Sequence, residues 1–230
     1  MIHVSLSEEI TNLCPDLHVL AIACEVKNSE SDAQLWREIA SEEDAVRSSM
    51  KLEEINKWPP IQATRQAYKR CGKDPNRYRP SAEALRRRIL RELPLYKVDT
   101  LVDLINLLSI RSGYSIGGFD ADKIEGNELV LGVGREGELY HGIGRGELNI
   151  AGLPVYRDAV GGIGTPTSDE ERTKLDLNTS HLLMIINGYS GKGGLDVAGA
   201  FGVALLKRYG SATNLEAELI SATNRTDLLL

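Results

Sequence analysis

The sequence predicts an α+β fold, with helices gathered early and a strand-rich, glycine-rich second half. Two observations carry this. Between residues 29 and 112 apolar positions recur at helical spacing among many charges, and prolines and glycines punctuate the segments. After residue 113 glycines multiply and the apolar runs shorten, as strands joined by tight turns require. The 230 residues are 42% hydrophobic and 26% charged, which suits a globular core. Aromatic residues make up only 5%, so aliphatic side chains must fill most of that core.

Residues 2–6 are short and apolar and read as a strand. Ser7-Glu8-Glu9 starts a helix, with acids in the first turn where the helix dipole favours them. Residues 18–24 form a continuous apolar run, suited to a strand buried on both faces. Residues 29–58 read as one helix carrying Leu35, Ile39, Val46, Leu52 and Ile55. Pro59-Pro60 ends it and opens the next, since proline is tolerated in a first turn and not inside a helix. That helix, residues 60–71, stops at Gly72, and Asp74-Pro75-Asn76 is a turn.

Pro80-Ser81 opens another helix, with Ser81 as its N-cap and Pro94 as its end. Its buried stripe is Ala82, Leu85, Ile89 and Leu93, so Arg87, Arg88 and Arg91 can point away. A third helix spans 99–112 and stops at Gly113. Strands follow at 128–133, 154–159 and 181–187, then a helix at 194–209 ended by Gly210. The tail from residue 211 is polar with a weak helical pattern. The expected division is a strand-helix-strand-helix region at 1–58 packed on a core at 59–210, with a C-terminal tail at 211–230.

The longest apolar stretches, 182–186 and 197–206, fall far short of the roughly 20 residues a membrane span needs. The N-terminus has no basic stretch before a long apolar one, so neither a signal peptide nor a membrane partner is expected. Cys14, Cys24 and Cys71 are scattered and form no CxxC pair. A disulfide framework or zinc site is therefore not expected, and a reducing cytoplasm fits. The four histidines lack metal-ligand spacing, and no cofactor is expected; His141, in a glycine-rich stretch, is the one histidine with a candidate role.

Gly132, Gly134 and Gly137 spell G-x-G-x-x-G after a strand. The glycines that follow, through Gly146, argue against the helix a dinucleotide site needs, so these read as turns. Residues 188–193 lack the Ser or Thr that must follow Lys192 in a phosphate loop. They are either a tight turn or a carboxylate or phosphate site at a helix N-terminus. The latter would make the chain a small-molecule enzyme. Ser168 and Glu171 have capping-box spacing.

The net charge of −6 hides an asymmetry. Between 65 and 91 stand Arg65, Lys69, Arg70, Lys73, Arg77, Arg79, Arg86, Arg87, Arg88 and Arg91, opposed only by Asp74 and Glu83. This segment carries +8 and the rest of the chain −14. It reads either as a phosphate-binding surface or as a solvated face pairing with acidic neighbours.

Several stretches together resemble one family. Val102-Asp103-Leu104-Ile105-Asn106, then Gly113, then Gly117-Gly118-Phe119-Asp120-Ala121-Asp122-Lys123-Ile124 resemble the V-D-x-x-N…P-L-H-A-F-D-x-D-K-[IL] signature of the editing domain in the phenylalanyl-tRNA synthetase beta subunit. Stand-alone relatives are similar over a longer span. They share Ala67-Tyr68-Lys69, the Gly72–Leu85 stretch with Asp74-Pro75 and Arg77-Tyr78-Arg79-Pro80-Ser81, and the run Gly164-Thr165-Pro166-Thr167-Ser168-Asp169-x-Glu171-Arg172-Thr173. The resemblance covers roughly residues 60–190 and implies that family's fold.

It also implies a trans-acting hydrolase of misacylated tRNA, whose partners are a tRNA acceptor end and its aminoacyl group. An aminoacyl ester is already activated, so positioning a water can suffice. By the resemblance Asn106, Thr165, Ser168 and Glu171 are catalytic candidates, and Gly117, Asp120, Thr167 and Arg172 substrate-binding ones. Arg65, Lys69, Arg79, Arg87, Arg91 and Lys192 are candidates for RNA. Other readings exist: Asp120 as the cap of the turn before Lys123, the 165–173 run as turn chemistry, and Asn106 as a buried amide satisfied by backbone. The chain departs from the family twice. Gly117 stands where the family has a histidine, and Ile185 stands where it has the glutamate that recognises the tyrosine hydroxyl. A binding module that kept the fold and lost the chemistry is therefore the alternative.

Overall fold

A computed structural model describes residues 2–228. In chain order the elements are β1 (His3–Leu6), α1 (Glu8–Leu13), β2 (His18–Glu25), α2 (Ala33–Ser49), α3 (Pro59–Arg70), α4 (Ser81–Leu90), α5 (Thr100–Ser112), β3 (Ile116–Asp120), β4 (Glu128–Val133), β5 (His141–Gly142), β6 (Gly146–Glu147), β7 (Pro154–Arg157), β8 (Gly162–Gly164), β9 (His181–Gly188), α6 (Leu195–Tyr209), β10 (Thr213–Ser221) and β11 (Arg225–Asp227).

The α+β class holds, and the two continuous apolar runs explain the layering. Strands β2 and β9 pair antiparallel at the centre of a five-stranded sheet of order β11-β10-β2-β9-β3. Leu20, Ile22, Leu182, Met184 and Ile186 join a core with α2, α5 and α6. The alternate residues Val19, Ala21, Leu183 and Ile185 pack with Val4, Leu129, Leu131 and Tyr156 of a second sheet, of order β1-β4-β7-β8. Helices thus cover one face of the five-stranded sheet and a four-stranded sheet the other. Both faces are dry, which is why these strands carry no polar alternation.

Sequence and structure differ in several places; residues 116–120, given no element from sequence, form β3, and the strand expected at 154–159 ends at Arg157. Helix α2 ends at Ser49, not near 58. The Ser48 and Ser49 hydroxyls donate back to the Asp44 and Ala45 carbonyls, Met50 turns extended, and only Ile55–Lys57 is helical again, as a 3-10 turn. Helix α4 ends at Leu90, and Glu92 takes a left-handed φ of 54°. Leu93 is consequently not in the buried stripe but exposed. Ser81 is the first helical residue, not the cap, and its N–H goes to the Pro166 carbonyl (2.7 Å). The segment after 211 is not helical: β10 pairs with β2, so its apolar residues alternate at strand period. The central sheet therefore draws strands from residues 1–58, 59–210 and beyond 211 alike.

Helix α5 is held at both ends. The Asp99 carboxylate caps it by accepting from the Val102 N–H (2.9 Å). Buried Asp103 accepts from the Ser31 hydroxyl (2.6 Å), the Trp36 indole (2.6 Å) and the Val98 N–H (3.1 Å), tying α5 to α2 and to the segment before it. Gly113, at φ 78°, ends it as expected; a Cβ there would lie 2.4 Å from the Trp58 ring. Asp103→Ala is expected to cost about 2–3 kcal/mol, because it strands three donors in or near a dry interior. Urea unfolding measures this, and a loss below about 0.5 kcal/mol would remove Asp103 from the framework.

Candidate functional site

One face of α5 opens onto a cavity of about 390 Å³. Val102, Ile105, Ile116 and Leu175 give it apolar walls, and Asn106, Thr165, Ser168, Asp169 and Lys174 add polar groups. Gly118 lines it too, and a Cβ there would lie 2.5 Å from the Ile105 side chain, so the bare backbone lets that wall residue pack against β3. Asn106 projects from α5 into it, and its amide has no hydrogen-bond partner among the described residues.

Asp169 reaches the open edge of β3, where one carboxylate oxygen accepts from the Gly118 N–H (3.3 Å). Burial pushes this carboxyl up to about 7, against the opposing pull of that hydrogen bond. A carboxyl that titrates near neutrality in a cavity suits proton transfer. Sequence reasoning passed over Asp169. It stood within the 164–173 run, but nothing in the run marks it as the residue that meets Gly118.

A second cavity, of about 780 Å³, adjoins the first, and Val98, Ile143 and Ser168 line both. Arg77, Arg79, Arg87, Arg88, Arg91 and Arg145 line this groove, and among the described residues no acidic one does. Arg79, Arg91 and Arg145 are exposed and make no ion pair among the described residues. Arg87 is steered by buried Glu83 (2.8 Å). The opposite lip, residues 143–145, is held by the Ile143 N–H to the Asp169 carbonyl (2.9 Å) and the Gly144 N–H to the Glu171 carboxylate (3.2 Å).

Of the sequence candidates, the structure brings together Asn106, Thr165 and Ser168 at the smaller cavity and Arg79, Arg87 and Arg91 at the groove. The Thr165 hydroxyl is occupied in its turn, donating to the Ser168 carbonyl and accepting from the Thr167 and Ser168 N–H groups. Ser168 donates to the Asp169 carbonyl, so it forms no capping box with Glu171; Glu170 caps that turn instead, accepting from the Arg172 N–H.

The others lie outside both cavities. Glu171 pairs with Lys174 (2.6 Å). Arg172 grips Asp158 with two hydrogen bonds (2.8 and 2.9 Å). Thr167 is buried against the Tyr68 hydroxyl (2.8 Å). Asp120 caps the turn before Lys123 and bonds Thr179. Arg65 is tied to Glu83 (2.8 Å), Lys69 is exposed on α3, and Lys192 sits in the 188–194 loop. Arg86 is buried, stacked 3.7 Å over Trp58 and bonded to the Ile110 carbonyl, and burial lowers it to about 10. It is part of the core, not of the basic surface.

The two family departures meet in space, since Gly117 pairs with Ile185 across β3 and β9. Ile185 faces the inter-sheet core. A Cβ at Gly117 would lie 2.7 Å from the Phe119 ring, which fills the space a larger residue would use.

With this geometry in place, comparisons with known proteins assign the family. A family model described as the B3/4 domain matches residues 63–193, which include Asn106, Asp169 and every arginine of the groove. An N-terminal fragment of the phenylalanyl-tRNA synthetase beta subunit from Pyrococcus horikoshii is similar in structure, with a TM-score of 0.54 and 12% identity. The likeness covers 99% of this chain and 54% of that one, so this chain spans about half the fragment's length. The search of curated proteins gives no match. The chain belongs to the B3/4 domain family and is a relative of that domain of the phenylalanyl-tRNA synthetase beta subunit.

Proposed function

We propose that this chain binds the unpaired 3′ end of a tRNA and hydrolyses the ester of a wrongly attached amino acid. The observation that carries this reading is the junction of an arginine-lined groove with a small, mainly apolar pocket. Phosphates suit the first and an aminoacyl group the second. The free Asn106 amide holds the terminal ribose or the amino acid. Asp169, as carboxylate, takes a proton from water; the water oxygen bonds the ester carbonyl carbon, the carbon–oxygen bond to ribose breaks, and the ribose oxygen takes up a proton.

The space beside Gly117, filled by Phe119, favours a second reading as a non-catalytic binder, because no imidazole stands there to orient water. Purified protein with a panel of mischarged tRNAs separates the two. Hydrolysis above the buffer rate is expected for at least one amino acid. Salt-dependent binding with no turnover for any of them would leave the second reading alone.

A further inference from the structure

We propose that Tyr96 is a stacking platform for an unpaired base of the bound RNA, one step before the nucleotide whose ester enters the Asn106 pocket. The inference rests on the RNA-binding reading above and deepens it. Residues 91–98 leave α4 through the left-handed Glu92 and run along the groove. They expose large apolar side chains that a helix continuing to Pro94 would not have placed there: Leu93 is 44% exposed, Tyr96 68% and Val98 58%.

Tyr96 lines the arginine groove, and the Arg88 guanidinium lies 4.2 Å from its ring centroid. Arg88 is itself fixed by two hydrogen bonds to the Pro94 carbonyl (3.1 and 2.6 Å). The ring is thus held by a cation against one part of its surface while most of it faces solvent. A solvated aromatic ring costs free energy, and an arginine-backed ring beside other free arginines suits a nucleobase. Val98 and Ile143 stand where groove and pocket meet. A strand passing Tyr96 therefore reaches the pocket between two apolar side chains, with its charged backbone left on the arginines.

Fluorescence anisotropy tests this with a tRNA acceptor minihelix bearing a single-stranded 3′ overhang, and with the same helix cut blunt. The overhang is expected to strengthen wild-type binding about tenfold or more, in line with stacking of one base. Tyr96→Ala is expected to abolish that gain, with Tyr96→Phe keeping it. Blunt-helix affinity and the salt dependence should stay unchanged in both variants. An equal loss on both RNAs, or no loss on either, would overturn the proposal, as would a wild type that ignores the overhang. A wild type that binds neither RNA removes this inference and the RNA reading together. If Tyr96 behaves as stated but no mischarged tRNA is hydrolysed, only the catalytic reading falls. Heat denaturation of each variant verifies folding, which an exposed side chain should not alter.

Discussion

Asp169→Asn is expected to slow ester hydrolysis at pH 8 by about 10²–10³-fold, the usual worth of a general base. The wild-type rate should climb with pH and level off above about 7, where burial has moved this carboxyl. The asparagine variant should lose that inflection. Stability should move the other way. The folded state holds the Asp169 proton more tightly than the unfolded chain, so its contribution is fully present below the unfolded value near 3.8 and is lost as pH rises through about 7. At pH 8 the ionised carboxylate then weakens the fold, and Asp169→Asn should stabilise it by about 1–2 kcal/mol, an advantage that fades toward pH 4. A slower yet more stable variant is the signature of a residue kept for chemistry. A variant with unchanged rate, or with lower stability at pH 8, would assign Asp169 to structure.

The second large effect concerns the groove. Arg79→Glu combined with Arg91→Glu is expected to weaken tRNA binding by about 100-fold near 0.1 M salt and to flatten the plot of log affinity against log salt. Both side chains are exposed and make no ion pair among the described residues, so the fold should survive. Arg87 is a poor choice, since reversing it also sets two carboxylates side by side at Glu83. Lys69→Glu is the matched control, because Lys69 is exposed but lies outside the groove. Equal losses from Lys69→Glu and the double variant would mean diffuse attraction to a basic surface. A selective loss ties binding to the groove.

What the sequence made legible follows from how local each signal is. The two-sided burial of β2 and β9 was written into unbroken apolar runs, and Gly113 announced the end of α5. The motif singled out Asn106, which the structure places on α5 at the cavity wall. Less visible was anything decided by distant partners. Arg172 meets Asp158, and Arg65 and Arg87 both meet Glu83, so three basic candidates are in ion pairs. Asp169 owes its raised affinity for protons to burial, which outweighs the opposing hydrogen bond from Gly118, 51 positions away. The early stop of α4 had no glycine to mark it, because Glu92 itself adopts the left-handed turn, and that stop is what puts Tyr96 and Val98 on the groove. The tail was misread because a polar, partly exposed segment shows its strand period only once β2 and β11 are beside it.

The central claim is that groove and pocket act as one continuous seat for an esterified RNA end. A crystal structure with a short acceptor-end RNA carrying its amino acid through a stable amide would address it directly. Phosphates are expected against Arg79, Arg87 and Arg91, with the aminoacyl group beside Asn106 and Asp169. An RNA bound on another face, or an amino acid left in solvent with the pocket vacant, would contradict it.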